Sequence, residues 1–254
     1  MNVYSKTKLL ALTVAIIVPL GTALAEEEKA KPTPPIITLV EVQIKHGERM
    51  AWSEGVKAFK ACYEEQGGEQ HWWTWRRVGG KGTVYTVVLA DANWAAFDED
   101  DEKMQPCYPI MMEKMMPHEV SVSETFVRPN LDFSRPISGP VARVTGLMID
   151  DYRAFMEVAT VVNKTLKDEN AGRPIEWLEP QIGAADDPDW YLVSRYENWA
   201  AMDVEVEGIW KVMERVHGEE KTAEMRAKVT AAIAGSDSYL YELSPGLSHL
   251  PARQ

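Results

Sequence analysis

The sequence predicts an α+β fold in which two tandem βαββαβ repeats pack sheet to sheet as a single-chain α/β barrel. Residues 93–98 (NWAAFD) return about 105 residues later as residues 198–203 (NWAAMD). The β-type runs that precede these segments, residues 83–90 and 188–195, also resemble each other. Aromatic and aliphatic positions match at the same offset over about 60 residues without a gap, so a duplicated unit explains both halves.

The first repeat (residues 36–127) begins with a β-branched apolar run and an amphipathic stripe. Residues 36–44 predict a strand, and residues 46–66 predict a helix because apolar side chains recur on one face of it. The later elements are strands at 71–78 and 83–90, a helical segment at 105–116 and a strand at 120–127. The repeated segment begins with Asn93 in this repeat and with Asn198 in the second. Each asparagine follows a predicted strand and is a typical helix N-cap, so the repeated segment is interpreted as a structural corner between strand and helix.

The second repeat (residues 140–243) has the same order and follows a proline-containing linker at residues 128–139. Its elements are strands at 141–149, 175–182, 190–195 and 239–243, and helices at 151–170 and 209–233. A βαββαβ unit is the ferredoxin-like motif, a four-stranded antiparallel sheet with both helices on one face. The bare faces of two such sheets can cover each other, which predicts the barrel. Residues 244–254 are expected to form a C-terminal tail.

Residues 1–25 have the layout of a secretory signal peptide. Two lysines precede an apolar run too short to cross a membrane, and a small-x-small site stands before Glu26. We expect cleavage before Glu26, a flexible leader over residues 26–35, and a periplasmic or secreted mature protein. A retained N-terminal anchor is the alternative.

The composition is acidic. The formal net charge of −12 becomes −14 when the two lysines leave with the signal peptide. Such a chain is poorly suited to bind nucleic-acid backbones or anionic lipid, so we expect neither nucleic acid nor a membrane as a partner after signal removal. The sequence has no nucleophile elbow, phosphate loop, dinucleotide fingerprint or zinc-protease motif, which argues against the familiar hydrolases and nucleotide enzymes.

The two cysteines, Cys62 and Cys107, lie late in the first predicted helix and early in the second. An exported protein meets an oxidising compartment that permits disulfides. The βαββαβ order makes these helices neighbours, so we expect a Cys62–Cys107 bridge. Two unpaired buried thiols are the alternative.

The element order, the size and the corner at residues 196–202 (YENWAAM) resemble the dimeric α/β-barrel superfamily. That superfamily includes antibiotic-biosynthesis-type monooxygenases, haem-degrading enzymes, stress-responsive barrel proteins and the haem-binding chlorite dismutases. The resemblance covers residues 36–243. It implies that one chain supplies both halves of a barrel that relatives close by dimerising, and we expect a monomer or weak homo-oligomer.

Cofactor and metal expectations follow from where the sequence departs from that pattern. Many monooxygenase-like members have a histidine just after this corner, whereas residues 98–102 and 203–207 contain none. We therefore expect no cofactor; haem held by His217 is the alternative that the chlorite dismutase branch suggests. The methionine-rich segment at residues 104–118 could suit copper(I), but methionines commonly fill cores, so we expect no metal site.

The segment at residues 71–77 (HWWTWRR) is the candidate ligand site. In a strand, alternation places one set of its side chains on one face of the sheet and the other set on the opposite face. The first set is His71, Trp73, Trp75 and Arg77, and the second is Trp72, Thr74 and Arg76. Flat rings with a few polar tips are typical of small-molecule pockets, and the candidates for a titratable group that lines the pocket are His71, Glu41 and Arg76. Simple packing of tryptophans between the sheets is the alternative.

These observations predict an exported barrel protein that binds a small apolar or aromatic compound without recognisable catalytic machinery. The alternative is a cofactor-independent monooxygenase-like or haem-binding enzyme of the dimeric α/β-barrel type. A further alternative is an interaction module whose barrel is filled by its own side chains.

Overall fold

The computed structural model describes residues 33–98 and 101–251, in which strands and helices alternate twice in the same order. The first repeat holds β1 (Ile36–Ile44), α1 (Arg49–Glu65), β2 (Trp72–Val78), β3 (Thr83–Asp91), α2 (Tyr108–Lys114) and β4 (Glu119–Pro129). The second holds β5 (Val141–Ile149), α3 (Tyr152–Asp168), β6 (Glu176–Ile182), β7 (Trp190–Tyr196), α4 (Ile209–His217), α5 (Glu219–Ala232) and β8 (Ile233–Leu243). The predicted signal peptide and most of the leader lie outside the described residues.

The eight strands form a closed antiparallel barrel in the order β1-β3-β2-β8-β5-β7-β6-β4. The first repeat contributes the sheet β4-β1-β3-β2 and the second contributes β8-β5-β7-β6, the same order in both. The pairings β2–β8 and β4–β6 join the two sheets at their edges. This confirms the prediction of two ferredoxin-like repeats that close one barrel within a single chain.

The helices of the first repeat pack on the outer face of its sheet. Trp52 of α1 stacks on Tyr85 of β3 with ring centroids 4.7 Å apart. Trp72 of β2 packs against Phe59 and Tyr63 of α1 in the same layer. These aromatic side chains are buried, and each removes a large apolar area from water, so they account for much of the stability of this half.

The second repeat builds its outer layer from equivalent positions. Trp177 of β6 meets Trp190 of β7 edge to face, with centroids 5.6 Å apart, and both rings pack with Phe155 of α3. Trp177 is the counterpart of Trp72, and each lies between its sheet and its helices. Both therefore have a packing role.

The repeated corners are capped as their sequence predicts. Oδ1 of Asn93 accepts from the amide of Ala95 at 2.9 Å, and Oδ1 of Asn198 accepts from the amide of Ala201 at 3.0 Å. Each corner then forms a short 3-10 helix in place of a longer α-helix. The side-chain oxygen satisfies an amide that would otherwise lack a partner at the helix start.

The end of the second repeat differs from the sequence-based expectation. The region expected to be one helix is two, α4 and α5, separated at Gly218 with φ of 84°. Strand β8 starts at Ile233, well before the predicted Tyr239, and pairs with β5 from Ile233 to Glu242 with one irregularity near its start. The early part of β8 is Ala-Gly-Ser-Asp-Ser, which has little intrinsic strand preference, so pairing with β5 is what makes it a strand.

Cys62 and Cys107 form a disulfide with a Cα–Cα distance of 5.8 Å. The expected bridge is therefore confirmed. It ties the end of α1 to the short 3-10 turn that leads into α2. Among the helices in the described ranges, none is long and apolar enough to cross a membrane.

Candidate functional site

The inner face of β2 lies in the barrel, where the second repeat packs against it. Trp75 is 9% exposed and contacts Ala142 of β5 and Tyr241 of β8, with Trp73 at the edge of the same cluster. The guanidinium of Arg195 lies 5.0 Å from the centre of the Trp75 ring. These contacts show that Trp75 fills the space between the two sheets.

Charged groups line the same interior. Burial raises the pKa of the Glu176 carboxyl, and the nearby positive charge of Arg195 opposes that shift. Burial also lowers the pKa of the Arg195 guanidinium, whose Nε donates to the carbonyl oxygen of Gly139 at 2.7 Å. The two charges compensate each other where water is scarce.

Glu41, one of the predicted site residues, faces two tyrosines inside the barrel. It pairs with Thr86 across β1 and β3. Burial raises the pKa of Tyr191 to about 12, and the negative charges of Asp187 and Glu41 add to the shift. The pKa of Tyr241 is also raised by burial and by Glu41. The interior is thus a polar and aromatic layer, and both cavities described next lie outside it.

The first cavity has a volume of about 320 Å³ and lies between the start of α1, the outer face of β2 and β3, and the segment after β8. Its lining residues are Arg49, Met50, Ser53, Glu54, Lys57, Arg76, Tyr85, Ser244, Gly246 and Leu247. The set combines apolar and aromatic surface with cationic groups. A volume near 300 Å³ is at the small end of the range for small-molecule sites.

The second cavity, of about 280 Å³, adjoins the first because both are lined by Arg49 and Arg76. Its other lining residues are Arg77, Gly79, Gly80, Gly82 and Thr83. The three glycines have φ values of 84°, 77° and 70°, which favour glycine in this turn. We call the two cavities together the arginine cleft.

The segment after β8 forms one wall of the arginine cleft and is held firmly on the first repeat. Nε1 of Trp72 donates to the carbonyl oxygen of Leu247 at 3.0 Å, and the amide of Thr74 donates to Oγ of Ser248 at 2.8 Å. The Leu247 side chain is 7% exposed and packs with Trp52. Residues expected to be a simple tail therefore belong to the first repeat's core and to its cleft.

The structure separates the predicted site residues into four groups. Arg76 and Arg77 line the arginine cleft. Glu41, Trp73 and Trp75 lie in the barrel interior, and Trp72 lies in the helix layer. His71 stands apart beside His249, with ring centroids 5.2 Å apart and a buried Nδ1 that has no partner within the described ranges.

Sequence reasoning missed most of the cleft, including Arg49, Tyr85 and Leu247. These positions come from distant parts of the chain, so no local motif marks them. Part of the methionine-rich segment has a structural role: Met104, Met111 and Met115 pack in the first repeat's core, whereas Met112 and Met116 are exposed.

Comparisons with known proteins identify the fold. A scan against models of protein families finds no match, and a search of curated proteins finds none. A candidate monooxygenase from Lactobacillus acidophilus NCFM matches with a TM-score of 0.50 and 14% identity, over 83% of this chain and 94% of that one. A candidate monooxygenase from Fusobacterium nucleatum matches with a TM-score of 0.52 and 11% identity, over 84% and 94%. A mutant chlorite dismutase from Candidatus Nitrospira defluvii matches with a TM-score of 0.50 and 11% identity, over 85% and 94%.

The chlorite dismutase match overturns the expectation that this protein uses no cofactor. Chlorite dismutases are the haem-binding branch of the superfamily that the sequence resembles. Because this protein shares its fold with that haem-binding branch, the expectation of no cofactor is wrong.

The residues around the cleft nevertheless do not fit haem. Haem iron is usually held by histidine, thiolate, methionine or tyrosine. The cleft has no histidine among its described lining residues, so Met50 lacks the histidine that completes a Met/His pair of axial ligands, and both cysteines are in the disulfide. Tyr85 stacks on Trp52 and is 3% exposed. His217, the position suggested for haem, hydrogen-bonds Oγ1 of Thr165 at 2.8 Å, remote from the cleft.

Two βαββαβ sheets joined at both edges account for the likeness to monooxygenase-type and chlorite dismutase structures at only 11–14% identity. At that identity the likeness defines the architecture and not the chemistry. The chain has the fold of the dimeric α/β-barrel superfamily, with both halves of the barrel in one polypeptide.

Proposed function

We propose that this protein is an exported barrel that binds a small apolar or aromatic compound in the arginine cleft. One observation carries the proposal: the first repeat has a cavity of about 320 Å³ whose walls combine apolar and aromatic surface from Met50, Tyr85 and Leu247 with six polar or charged residues, Arg49, Ser53, Glu54, Lys57, Arg76 and Ser244. Small-molecule sites usually combine apolar and aromatic surface with polar groups that fix the orientation of the ligand.

The walls differ in rigidity in a way that suits ligand binding. Tyr85 is fixed by stacking on Trp52, and Leu247 is fixed by the hydrogen bonds around it. Met50 stands at the rim with 71% of its surface exposed. A flexible thioether side chain at the entrance can adjust to ligands of different shape.

Two glycines provide a matched test. Neither Gly246 nor Gly208 would bring an added Cβ within 4 Å of another atom, and neither has a positive φ. Gly246 lines the cleft, whereas Gly208 precedes α4 in the second repeat. Gly246→Leu should therefore fill the cleft without straining the backbone, and Gly208→Leu should leave it unchanged.

The experiment is a screen of small aromatic compounds by tryptophan fluorescence and thermal shift, followed by titration of the best binders. We expect Gly246→Leu to weaken binding at least about tenfold, a loss of about 1.4 kcal/mol, with no change in Gly208→Leu. A screen without binders, or equal affinity in both variants, would overturn the proposal.

Export is part of the same proposal. The lysine and apolar pattern of residues 1–25 and the disulfide both support it, since disulfides are rare in reducing compartments. Intact mass of the protein recovered from a bacterial periplasm should correspond to a chain that starts at Glu26. Recovery of the full-length chain in the cytoplasm would contradict export.

A second candidate is an oxidative enzyme that acts on the bound compound. Its support is the fold shared with candidate monooxygenases and a chlorite dismutase. Oxygen uptake in the presence of each compound that binds should separate the two candidates. Uptake that depends on the compound and is lost in Gly246→Leu would favour the enzyme, and its absence would favour binding alone.

A further inference from the structure

We infer that the ligand of the arginine cleft is a small organic acid, with an apolar or aromatic body and one anionic group such as a carboxylate. This inference rests on the proposed function and concerns the chemical class of the ligand at that site. Two observations support it: the cleft is lined by cationic side chains, and only some of these have carboxylate partners.

The cleft concentrates positive charge in an acidic protein. The chain has a formal net charge of −12, yet three arginines, Arg49, Arg76 and Arg77, line its second cavity without an acidic residue among the lining groups. Like charges brought together repel, and the repulsion is relieved when an anion binds between them.

Two of the cations near the cleft are already neutralised. Nζ of Lys57 lies 2.8 Å from Oε1 of Glu54, and Nη2 of Arg76 lies 2.7 Å from Oε2 of Glu242. Arg49 and Arg77 have no carboxylate partner in the described part of the chain. They leave about two uncompensated positive charges beside the cavity, which favours an anionic ligand.

Arg77 is held in place with donor capacity to spare. Its Nη2 donates to the carbonyl oxygen of Lys81 at 2.6 Å, and its guanidinium lies 4.7 Å from the centre of the Tyr239 ring. Its Nε is buried and has no partner among the described residues. Because the Arg77 side chain lines the second cavity, a guanidinium fixed in this way presents a preorganised positive charge to an anion there.

Arg49 contributes a second cation from a different element. It is the first residue of α1, a helix of 17 residues with no acidic residue in its first turn and no side-chain cap. The side chain of the N-cap residue Glu48 makes no cap hydrogen bond and instead lies 2.9 Å from Nδ1 of His118, so Arg49 itself supplies the positive charge at this end of the cleft. Because the adjoining cavity carries Met50 and Tyr85, an anionic group among the arginines leaves room for an apolar body beside it.

The test compares aromatic acids with their neutral amides, such as indole-3-acetate with indole-3-acetamide and benzoate with benzamide, by isothermal titration calorimetry. We expect each acid to bind at least about tenfold more tightly than its amide. Raising the salt concentration from about 50 mM to about 300 mM should weaken the acid and leave the amide unchanged, because screening affects only the charged ligand.

A matched pair of variants locates the charge. Arg49→Gln should reduce the preference for the acid to about threefold, whereas Arg153→Gln, an exposed arginine on α3, should leave it at tenfold or more. The salt series on the wild-type protein keeps the inference testable if Arg49→Gln does not fold.

The outcomes separate this inference from the proposed function. Equal affinity for acid and amide, both lost in Gly246→Leu, would overturn the acid preference and leave the cleft as a neutral binding site. If inorganic phosphate binds as tightly as the acids, the inference that the ligand is an organic acid would be overturned. No binding of any acid, amide or screened compound would overturn the proposed function itself.

Discussion

Arg76 and Glu242 face each other across the β2–β8 pairing, with Nη2 2.7 Å from Oε2. This ion pair joins the first repeat to the second at one of the two edges where the barrel closes. Arg76 also lines both cavities of the arginine cleft. Glu242 therefore competes with any anion for the Arg76 guanidinium.

Glu242→Gln should tighten the binding of an aromatic acid by about threefold to tenfold, because Arg76 then offers its full charge to the ligand. The cost in stability should stay below about 1 kcal/mol, since both side chains are at least a third exposed and solvent screens the pair. Titration calorimetry and thermal unfolding measure the two effects. Glu169→Gln removes a partner of Arg215 far from the cleft and serves as the control. Weaker binding in Glu242→Gln would contradict the competition.

The Cys62–Cys107 bridge closes a loop with a sequence separation of 45 residues. Loop-closure entropy predicts that the double change Cys62→Ser and Cys107→Ser lowers the free energy of unfolding by about 2–4 kcal/mol. Denaturant unfolding of the variant against the oxidised wild type measures this loss.

Reduced wild-type protein is the control and should match the double variant. Mass spectrometry after alkylation should find no reactive thiol in the oxidised protein and two after reduction. Two alkylated thiols before reduction would show that the bridge does not form.

The barrel was predictable from sequence because its signals are local and repeated. The β-branched apolar run in residues 36–44 and the duplicated corner at residues 93–98 specify strands and caps without knowledge of distant contacts. The first half of β8 was not predictable from sequence, because Gly235 and its polar neighbours become a strand only through pairing with β5.

The candidate site also contains residues that local sequence patterns predict and residues that only distant contacts bring together. Arg76 was found because alternation within one strand is a local pattern. Arg49 and Leu247 meet Arg76 only after α1 and the segment following β8 fold onto the same sheet. A single sequence does not reveal contacts of that separation, and composition favoured the tryptophans, of which Trp75 fills the interior.

Tyr63 and Tyr191 should titrate late in the folded protein. Burial and a hydrogen bond to Asp101, at 2.6 Å, raise the pKa of Tyr63 to about 12, and burial raises the pKa of Tyr191 to about 12. The raised pKa means that the fold favours the neutral phenol. Its stabilising effect is complete below about pH 10, where an unfolded tyrosine is neutral, and is lost as the pH rises towards 12.

Absorbance of tyrosinate near 295 nm measures this titration. Tyr63→Phe should remove part of the late step and reduce the fall in stability between about pH 10 and 12. Tyr108→Phe, which removes a hydroxyl from an exposed tyrosine, is the control variant in the same measurement. A Tyr63→Phe protein with the same late step as the wild type would contradict the assignment.

Leu247 joins the end of the chain to the core of the first repeat. Its side chain packs with Val42 and Trp52, and its carbonyl oxygen accepts hydrogen bonds from both Trp72 and Thr74. Leu247→Ala should lower the free energy of unfolding by about 2–4 kcal/mol, because it leaves a cavity in a packed layer. Leu131→Ala, at a site 47% exposed, should cost less than about 0.5 kcal/mol and is the control in the same denaturant titration.

Because Leu247 also lines the arginine cleft, its variant should weaken ligand binding under conditions in which it remains folded. Equal stability of the two leucine variants would show that the segment after β8 is not held against the first repeat in solution.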